Sequence, residues 1–461
     1  MMRTFEVLLI SVFLSRVMAD KNELGELLQI IFISSIIVTM LSGFPLAMNF
    51  FYGKYKGKEE KENLFVKFIL STFAITITLC ILIFIFKSGL GSSFKNQAIE
   101  NNIYVVLLFF IIKTINSIFP NYHYLKKKLD KYLILYTITT IFLIGFFFYD
   151  YYASTLNAFL IFQQLLFVEL LRMLINIFII NLSELNFRNI FFNKNEWVYV
   201  ITISFGVILG AFNLYIDKYL IAIMLNPTEF VFYQNGAINL PFVNIITSSL
   251  FIASIPTFAD LYTKGEFLKL IKETKKLILK CSILLLPILV YCFFEAIPLI
   301  KMLYGDDFQI SGEIFKVYIL RYIFSVMAFS IYMGSIGLEK KSNLIILLTA
   351  LIGLGLNLVL IPYYGIIGAA WAIVIASLST IFISFVYISI KLKTHFYDYF
   401  PLKNYIKILI TSILLYIPFH ILNLSLEFHH IVLISSFIYY IIVILILNTH
   451  FKFFNLPLSR N

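Results

Sequence analysis

The chain has 461 residues, 61% of them hydrophobic and only 13% charged, with 36 Lys and Arg against 25 Asp and Glu and a formal net charge of +11. A soluble domain carries roughly a quarter charged residues, so a mean hydropathy of +0.92 excludes a water-solvated globule and leaves lipid as the solvent for most of the surface. The basic excess does not point to nucleic acid, because it sits in gaps between long apolar stretches and reads as membrane topology.

A helix crossing a bilayer needs about 20 apolar residues. About fourteen spans are predicted in chain order, at 2–19, 27–50, 64–86, 103–122, 131–149, 154–182, 197–225, 230–259, 276–300, 312–334, 341–361, 366–390, 403–424 and 431–448. The first carries Arg16 late in the stretch, whereas a signal peptide carries its charge at the front. The seventh carries Asp217 and Lys218. Both are kept because of the basic residues outside the spans. One set of alternate gaps holds Lys54, Lys56, Lys58 and Lys61, then Lys126, Lys127, Lys128 and Lys131, then Arg188 and Lys194. That set continues with Lys264, Lys269, Lys272 and Lys275, then Lys340 and Lys341, then Lys391 and Lys393. The other gaps hold only Lys21, Lys87, Lys95 and Lys301. Losing a span would put the later basic loops on the wrong side, so the pattern predicts an even count with both termini in the cytoplasm.

In the 260–280 region, Phe267, Leu270, Ile271, Leu277 and Ile278 recur at helical spacing among lysines. This fits either an amphipathic helix on the membrane surface or a solvated connector running into the next span.

An internal repeat organises the spans. Met18 and Glu23 match Met224 and Glu229 at one offset of 206 residues, and Pro45 and Pro256 each stand four residues before a polar residue, Asn49 or Asp260, ahead of a basic loop. The expected fold is all-α and polytopic, with two pseudo-symmetric six-helix lobes at 1–196 and 197–400, then helices 13 and 14 with a cytoplasmic tail at 401–461. Two such lobes about an axis along the membrane normal are a transporter plan. Pro45, Pro256 and Pro287 are predicted to bend their spans.

Ionisable groups inside spans cost about 3 kcal/mol facing lipid at mid-depth, so they should face the space between helices. The candidate cavity residues are Arg16, Lys113, Glu169, Arg172, Asp217, Lys218 and Arg321, with Lys316 near a helix end. Glu169 and Arg172 are three apart and can pair; the adjacent Asp217 and Lys218 point apart. Counting Lys316, six cations stand against two carboxylates, which suits an anion such as the diphosphate of a lipid carrier, gripped by arginine. The competing expectation is that these charges bridge helices.

No catalytic constellation is present, and the chain does not read as an enzyme. Cys80, Cys281 and Cys292 have neither metal nor disulfide spacing. His429 and His430 form a loop pair with nothing to complete a metal site, the other four histidines fall mostly at predicted membrane edges, and no phosphate-binding loop of the G-x-x-x-x-G-K-[S/T] type occurs. No cofactor is expected.

Residues 357–372, N-L-V-L-I-P-Y-Y-G-I-I-G-A-A-W-A, resemble the N-x-x-L-I-P-x-x-G-x-x-G-A-A-x-A segment of bacterial polysaccharide flippases in the multidrug/oligosaccharidyl-lipid/polysaccharide exporter superfamily. L-Y-G-D-D-F at 303–308 and Glu23-Leu24-Gly25 also resemble that family, while Val231 stands where its repeat has glycine. Physically, Pro362 and Gly365 should turn the chain between spans 11 and 12, and Gly368, Ala372 and Ala376 should give a small face for close helix contact. The resemblance implies flipping of undecaprenyl-diphosphate-linked oligosaccharide across the bacterial inner membrane for O-antigen or another surface polysaccharide. Arg16, Lys113, Arg172, Lys218 and Arg321 would hold phosphates or acidic sugars. Glu169 and Asp217 would balance charge or carry coupling H+ or Na+. A polysaccharide polymerase and a chain-length regulator are the implied partners besides membrane lipid. The alternatives are a cation-coupled drug or metabolite antiporter of the same superfamily, a peptidoglycan lipid flippase, and a scaffold of a polysaccharide assembly complex.

Overall fold

The computed structural model describes residues 2–153, 157–180, 191–425, 434–438 and 440–442. Every regular element among the described residues is helical, and ten helical segments there are long and apolar enough to cross a membrane. The protein is a polytopic all-α membrane protein. Arg188, His429, His430 and most of the predicted span 431–448 lie outside the described residues.

The chain divides into two compact units, Met1–Val231 and Phe232–Asn461. The first contains α1 (Met2–Val17), α2 (Lys21–Leu41), α3 (Gly43–Lys54), α4 (Lys58–Ile85), α5 (Lys87–Ser93), α6 (Gln97–Asn101), α7 (Ile103–Asn116), α8 (Phe119–Leu125), α9 (Leu129–Tyr152), α10 (Ala158–Ile179) and α11 (Lys194–Met224). The predicted span 27–50 is two helices broken at Ser42. Pro45 is the cause in sequence, since it offers no N–H to a carbonyl one turn back. Helix α11, which opens the second repeat in the sequence reading, packs on α2 and α3. Phe44, Phe51, Phe65, Phe68, Phe119 and Tyr122 build the aromatic core beside it.

The repeat extends to the helix caps. Asp20 caps α2 by accepting from the Asn22 and Glu23 amides at 2.8 and 3.2 Å. At the same 206-residue offset, Asn226 accepts from the Glu229 amide at 2.8 Å, and the Glu229 carboxylate accepts from the Asn226 amide at 3.3 Å. These bonds satisfy amides that a helix start leaves without partners. Gly25 follows the first cap, and a Cβ there would lie 2.2 Å from the Pro227 carbonyl oxygen. Glycine is therefore what lets α2 approach the second cap.

Helix α12 (Pro227–Gly236) carries the chain across the boundary between the units. The second unit continues with α13 (Pro241–Thr263), α14 (Phe267–Phe294), α15 (Ala296–Tyr304), α16 (Gln309–Ile319), α17 (Phe329–Ser335), α18 (Glu339–Leu392), α19 (Phe396–Tyr399) and α20 (Leu402–Ser425). The lysine-rich region is continuous with its span: α14 buries Leu270, Thr274, Leu277 and Ile278 while Leu268 stays exposed. Pro256 and Pro287 lie inside unbroken helices.

Helix α18 is two spans joined at Gly365, whose φ of 56° and ψ of −139° break the helix. A side chain is strained there. On either side the halves meet through small residues. The Thr349 and Thr380 hydroxyls are 2.7 Å apart, and a Cβ on Gly353 would lie 3.6 Å from the Ala376 methyl. A Cβ on Gly368 would fall 2.3 Å from the Leu360 carbonyl oxygen. Pro362 and Gly365 thus make the turn the sequence predicts.

Candidate functional sites

In the first unit, α1, α7, α9 and α10 bring polar side chains to one buried point. Arg172 of α10 pairs with Glu6 at 2.6 Å and with Glu169 at 3.2 Å. Its Nε donates to the Thr139 hydroxyl at 2.8 Å and its Nη2 to Thr140 at 2.9 Å. Tyr136 lies under the guanidinium, 4.0 Å from ring centre to Cζ, and its hydroxyl donates to Glu6. Asn116 donates to the Glu169 carboxylate at 2.6 Å. Below, Asn176 donates to the Arg172 carbonyl at 2.7 Å and bonds His123 at 2.9 Å. The adjoining cavity, about 50 Å³, is also lined by Lys113. Lys113 donates to the Ser34 hydroxyl at 2.8 Å and lies 5.0 Å from the Phe109 ring centre. That space is too small for a sugar, and the cluster's visible work is to tie four helices together.

A second buried pair joins α11 to α4. Lys67 donates to both oxygens of Glu196 at 3.0 and 3.1 Å, and Tyr55 donates to the same carboxylate. Glu196 also closes the cap of α11 with Asn193. Burial and then the Glu196 carboxylate push the Tyr55 phenol up from its ordinary value, so it remains a donor.

In the second unit, two predicted spans are broken in the same place. The chain leaves helix between α12 and α13 at 237–240, and again after a single 3-10 turn, Leu320–Tyr322, ahead of α17. Tyrosines join the two breaks. Tyr322 accepts from the Leu240 amide at 3.2 Å and reaches the Asn239 side-chain oxygen at 3.4 Å, which Tyr318 also reaches at 3.2 Å. Tyr405 of α20 donates to the loosened Ile323 carbonyl. Arg321 sits on the break, its Cζ 4.8 and 5.2 Å from the Tyr318 and Tyr322 ring centres, and it donates to the Tyr318 hydroxyl at 2.5 Å. It is half-buried. Irregular backbone at membrane depth is tolerated where protein covers it or where it lines a cavity, and interrupted helices mark substrate sites in transporters.

The remaining candidates are spread out. Arg16 ends α1 exposed, and Lys316 is exposed on α16. Asp217 and Lys218 are both buried on α11. The expected surplus of buried cations is not found. Among the described residues the buried carboxylates are Glu6, Asp150, Glu169, Glu196, Asp217 and Glu295, against Lys67, Arg172 and Lys218 as the buried Lys and Arg. Glu6, Lys67 and Glu295 lie inside predicted spans, and Glu196 and Asp150 lie one residue beyond one. Each was legible as a charge in apolar surroundings. Glu295 accepts from Tyr416 and lies 3.1 Å from His420 Nδ1.

Residues 54–313, more than half of the chain, match the model of a family described as polysaccharide biosynthesis protein. The chain belongs to that family. No curated protein matches the sequence. Several solved structures are similar in fold, three of them as follows. The lipid II flippase MurJ, in an inward closed conformation, shares 15% identity at a TM-score of 0.73 over 98% of this chain and 97% of its own. An inward-facing multidrug resistance MATE transporter of the MOP superfamily shares 13% at 0.68, over 85% of this chain and 94% of its own. A MOP superfamily transporter from Pyrococcus furiosus shares 13% at 0.59, over 85% of this chain and 92% of its own. At these identities the likeness is one of fold.

The first unit also has a larger, apolar cavity. It measures about 440 Å³ and is walled by α2, α7 and α11, with the end of α4 and the 86–102 connection closing it. Ile33, Ile37, Val106, Phe110, Ala211 and Phe212 are among its lining residues.

Proposed function

We propose that this protein flips undecaprenyl-diphosphate-linked oligosaccharide repeat units across the bacterial inner membrane, for O-antigen or another surface polysaccharide. The reading is carried by one conjunction: membership in a polysaccharide biosynthesis family and a fold similar, over 98% of the chain, to that of a lipid flippase. In this proposal fourteen spans form two six-helix lobes at 1–196 and 197–400, with 401–461 added and both termini in the cytoplasm. Cargo would cross without covalent chemistry, its lipid tail remaining in the bilayer.

Arg321 and Lys113 are the proposed contacts for diphosphate or acidic sugar, with Arg16 and Lys218 as further contacts. Arg172 is assigned to holding α1, α9 and α10, because Glu6 and Glu169 already flank it. Glu169 balances the charge of Arg172, and Asp217 is the proposed carrier of coupling H+ or Na+. The polymerase and chain-length regulator would act on the delivered cargo.

The test is depletion in a strain that makes a surface polysaccharide. Lipid-linked repeat units should accumulate in the cytoplasmic leaflet and surface polymer should fall. Accumulation of lipid II instead would assign the protein to peptidoglycan, and loss of drug tolerance alone would make it an antiporter. Normal polymer assembly with an abundant but transport-dead Arg321→Gln protein would leave only a scaffold.

A further inference from the structure

The 440 Å³ cavity of the first unit has no charged side chain in its lining. Its walls offer water almost nothing: the lining is aliphatic and aromatic, the exceptions being the hydroxyls of Tyr215 and Tyr219. The Tyr215 hydroxyl is already 3.3 Å from that of Thr39. A buried water needs two to four polar partners, so water is not the filling. The cavity is partly open, and Phe212 and Tyr219 on its α11 side are 36% and 41% exposed. In a membrane-spanning chain the apolar material at hand is hydrocarbon.

The wall behind the cavity separates it from the charged cluster. On α7, Val106 and Phe110 face the apolar cavity, while Phe109 and Lys113 face the small polar one. On α2, Ile30 and Ile33 face the first and Leu28 and Ile31 the second. The bond from Lys113 to Ser34 stitches the two helices together along that wall. The lining presents hydrocarbon and no charged side chain, so it does not select by head group. By mass action the most abundant chain takes such a seat.

We infer that this cavity is a lipid site holding one acyl chain of a bilayer phospholipid, wedged between α11 and the α2–α7 pair. The inference rests on membrane location and not on the flippase reading, so either can fail without the other.

The full-length protein in phosphatidylethanolamine nanodiscs, doped with phosphatidylethanolamine carrying a mid-chain diazirine, tests it. Illumination should label 30–40 on α2 and 211–219 on α11 beyond the label on Phe142, an exposed residue of α9 that serves as internal reference. Ala211→Phe and, separately, Ile33→Phe place a ring in the cavity and should abolish the excess label while leaving the reference label intact. Three results overturn the inference: no excess label in the unsubstituted protein, excess label that survives in a folded filled variant, or displacement of the label by equimolar polyprenyl phosphate, which would give the seat to a carrier lipid. Should neither variant fold, the unsubstituted protein still decides through its own labelling and the polyprenyl competition.

Discussion

Arg172 and Arg321 are both arginines inside predicted spans, and their surroundings differ in kind. Arg172 lies between two carboxylates and two threonine hydroxyls, on helices that run unbroken past it. Arg321 lies on tyrosine rings where two helices have come apart, and it is half-buried. The first is an internal cross-link whose charge is matched by the protein. The second keeps a planar cation at a place where backbone regularity has been given up, and that arrangement suits a ligand better than a truss.

The comparison can be broken most forcefully at Arg172. Arg172→Met leaves Glu6 and Glu169 buried together and should cost ~3–5 kcal/mol, read as a collapse of the melting temperature and of membrane abundance. Adding Glu6→Gln and Glu169→Gln should restore much of it, because replacing a whole buried ion cluster is far less costly than halving one. Glu6→Gln alone should cost ~1.5–3 kcal/mol, the range for hydrogen bonds to charged groups.

At the other site, Arg321→Gln should lower flipping about tenfold or more, equivalent to ~1.4 kcal/mol in the barrier, with the melting temperature nearly unchanged. Arg321→Lys should fail to rescue, since an ammonium cannot reproduce a stacked planar fork. An unfolded Arg321→Gln protein, or an active Arg172→Met protein, would reverse the comparison. The smallest effect is expected from Tyr405→Phe, which frees the Ile323 carbonyl at the break and should cost ~1 kcal/mol; a thermal melt beside a flipping assay would show whether the break itself matters to transport.

Much of the fold was readable from periodicity and punctuation. The turn at Gly365 follows from a proline and a glycine in a known pattern, and the caps at Asp20 and Asn226 extend a repeat first seen in Met18 and Glu23. The breaks at 237–240 and after Tyr322 were not read. Pro241 could have signalled the first. The sequence around 320–328 holds no glycine or proline; that break is held from outside by Tyr405 and by the Leu240 amide. The long-range charge pairs escape the sequence for a related reason. Glu6, Lys67, Glu196 and Glu295 find their partners far along the chain, and pairing across 129 or 166 residues leaves no mark on local spacing.

That last separation has a consequence for biogenesis. Glu6 reaches the membrane long before Arg172 has been synthesised, since 166 residues lie between them. At roughly 5–20 residues per second, α1 waits on the order of 10–30 s for its counter-charge. Over that interval its carboxylate must remain near the aqueous boundary, so α1 is fixed in place only after five further predicted spans have followed it.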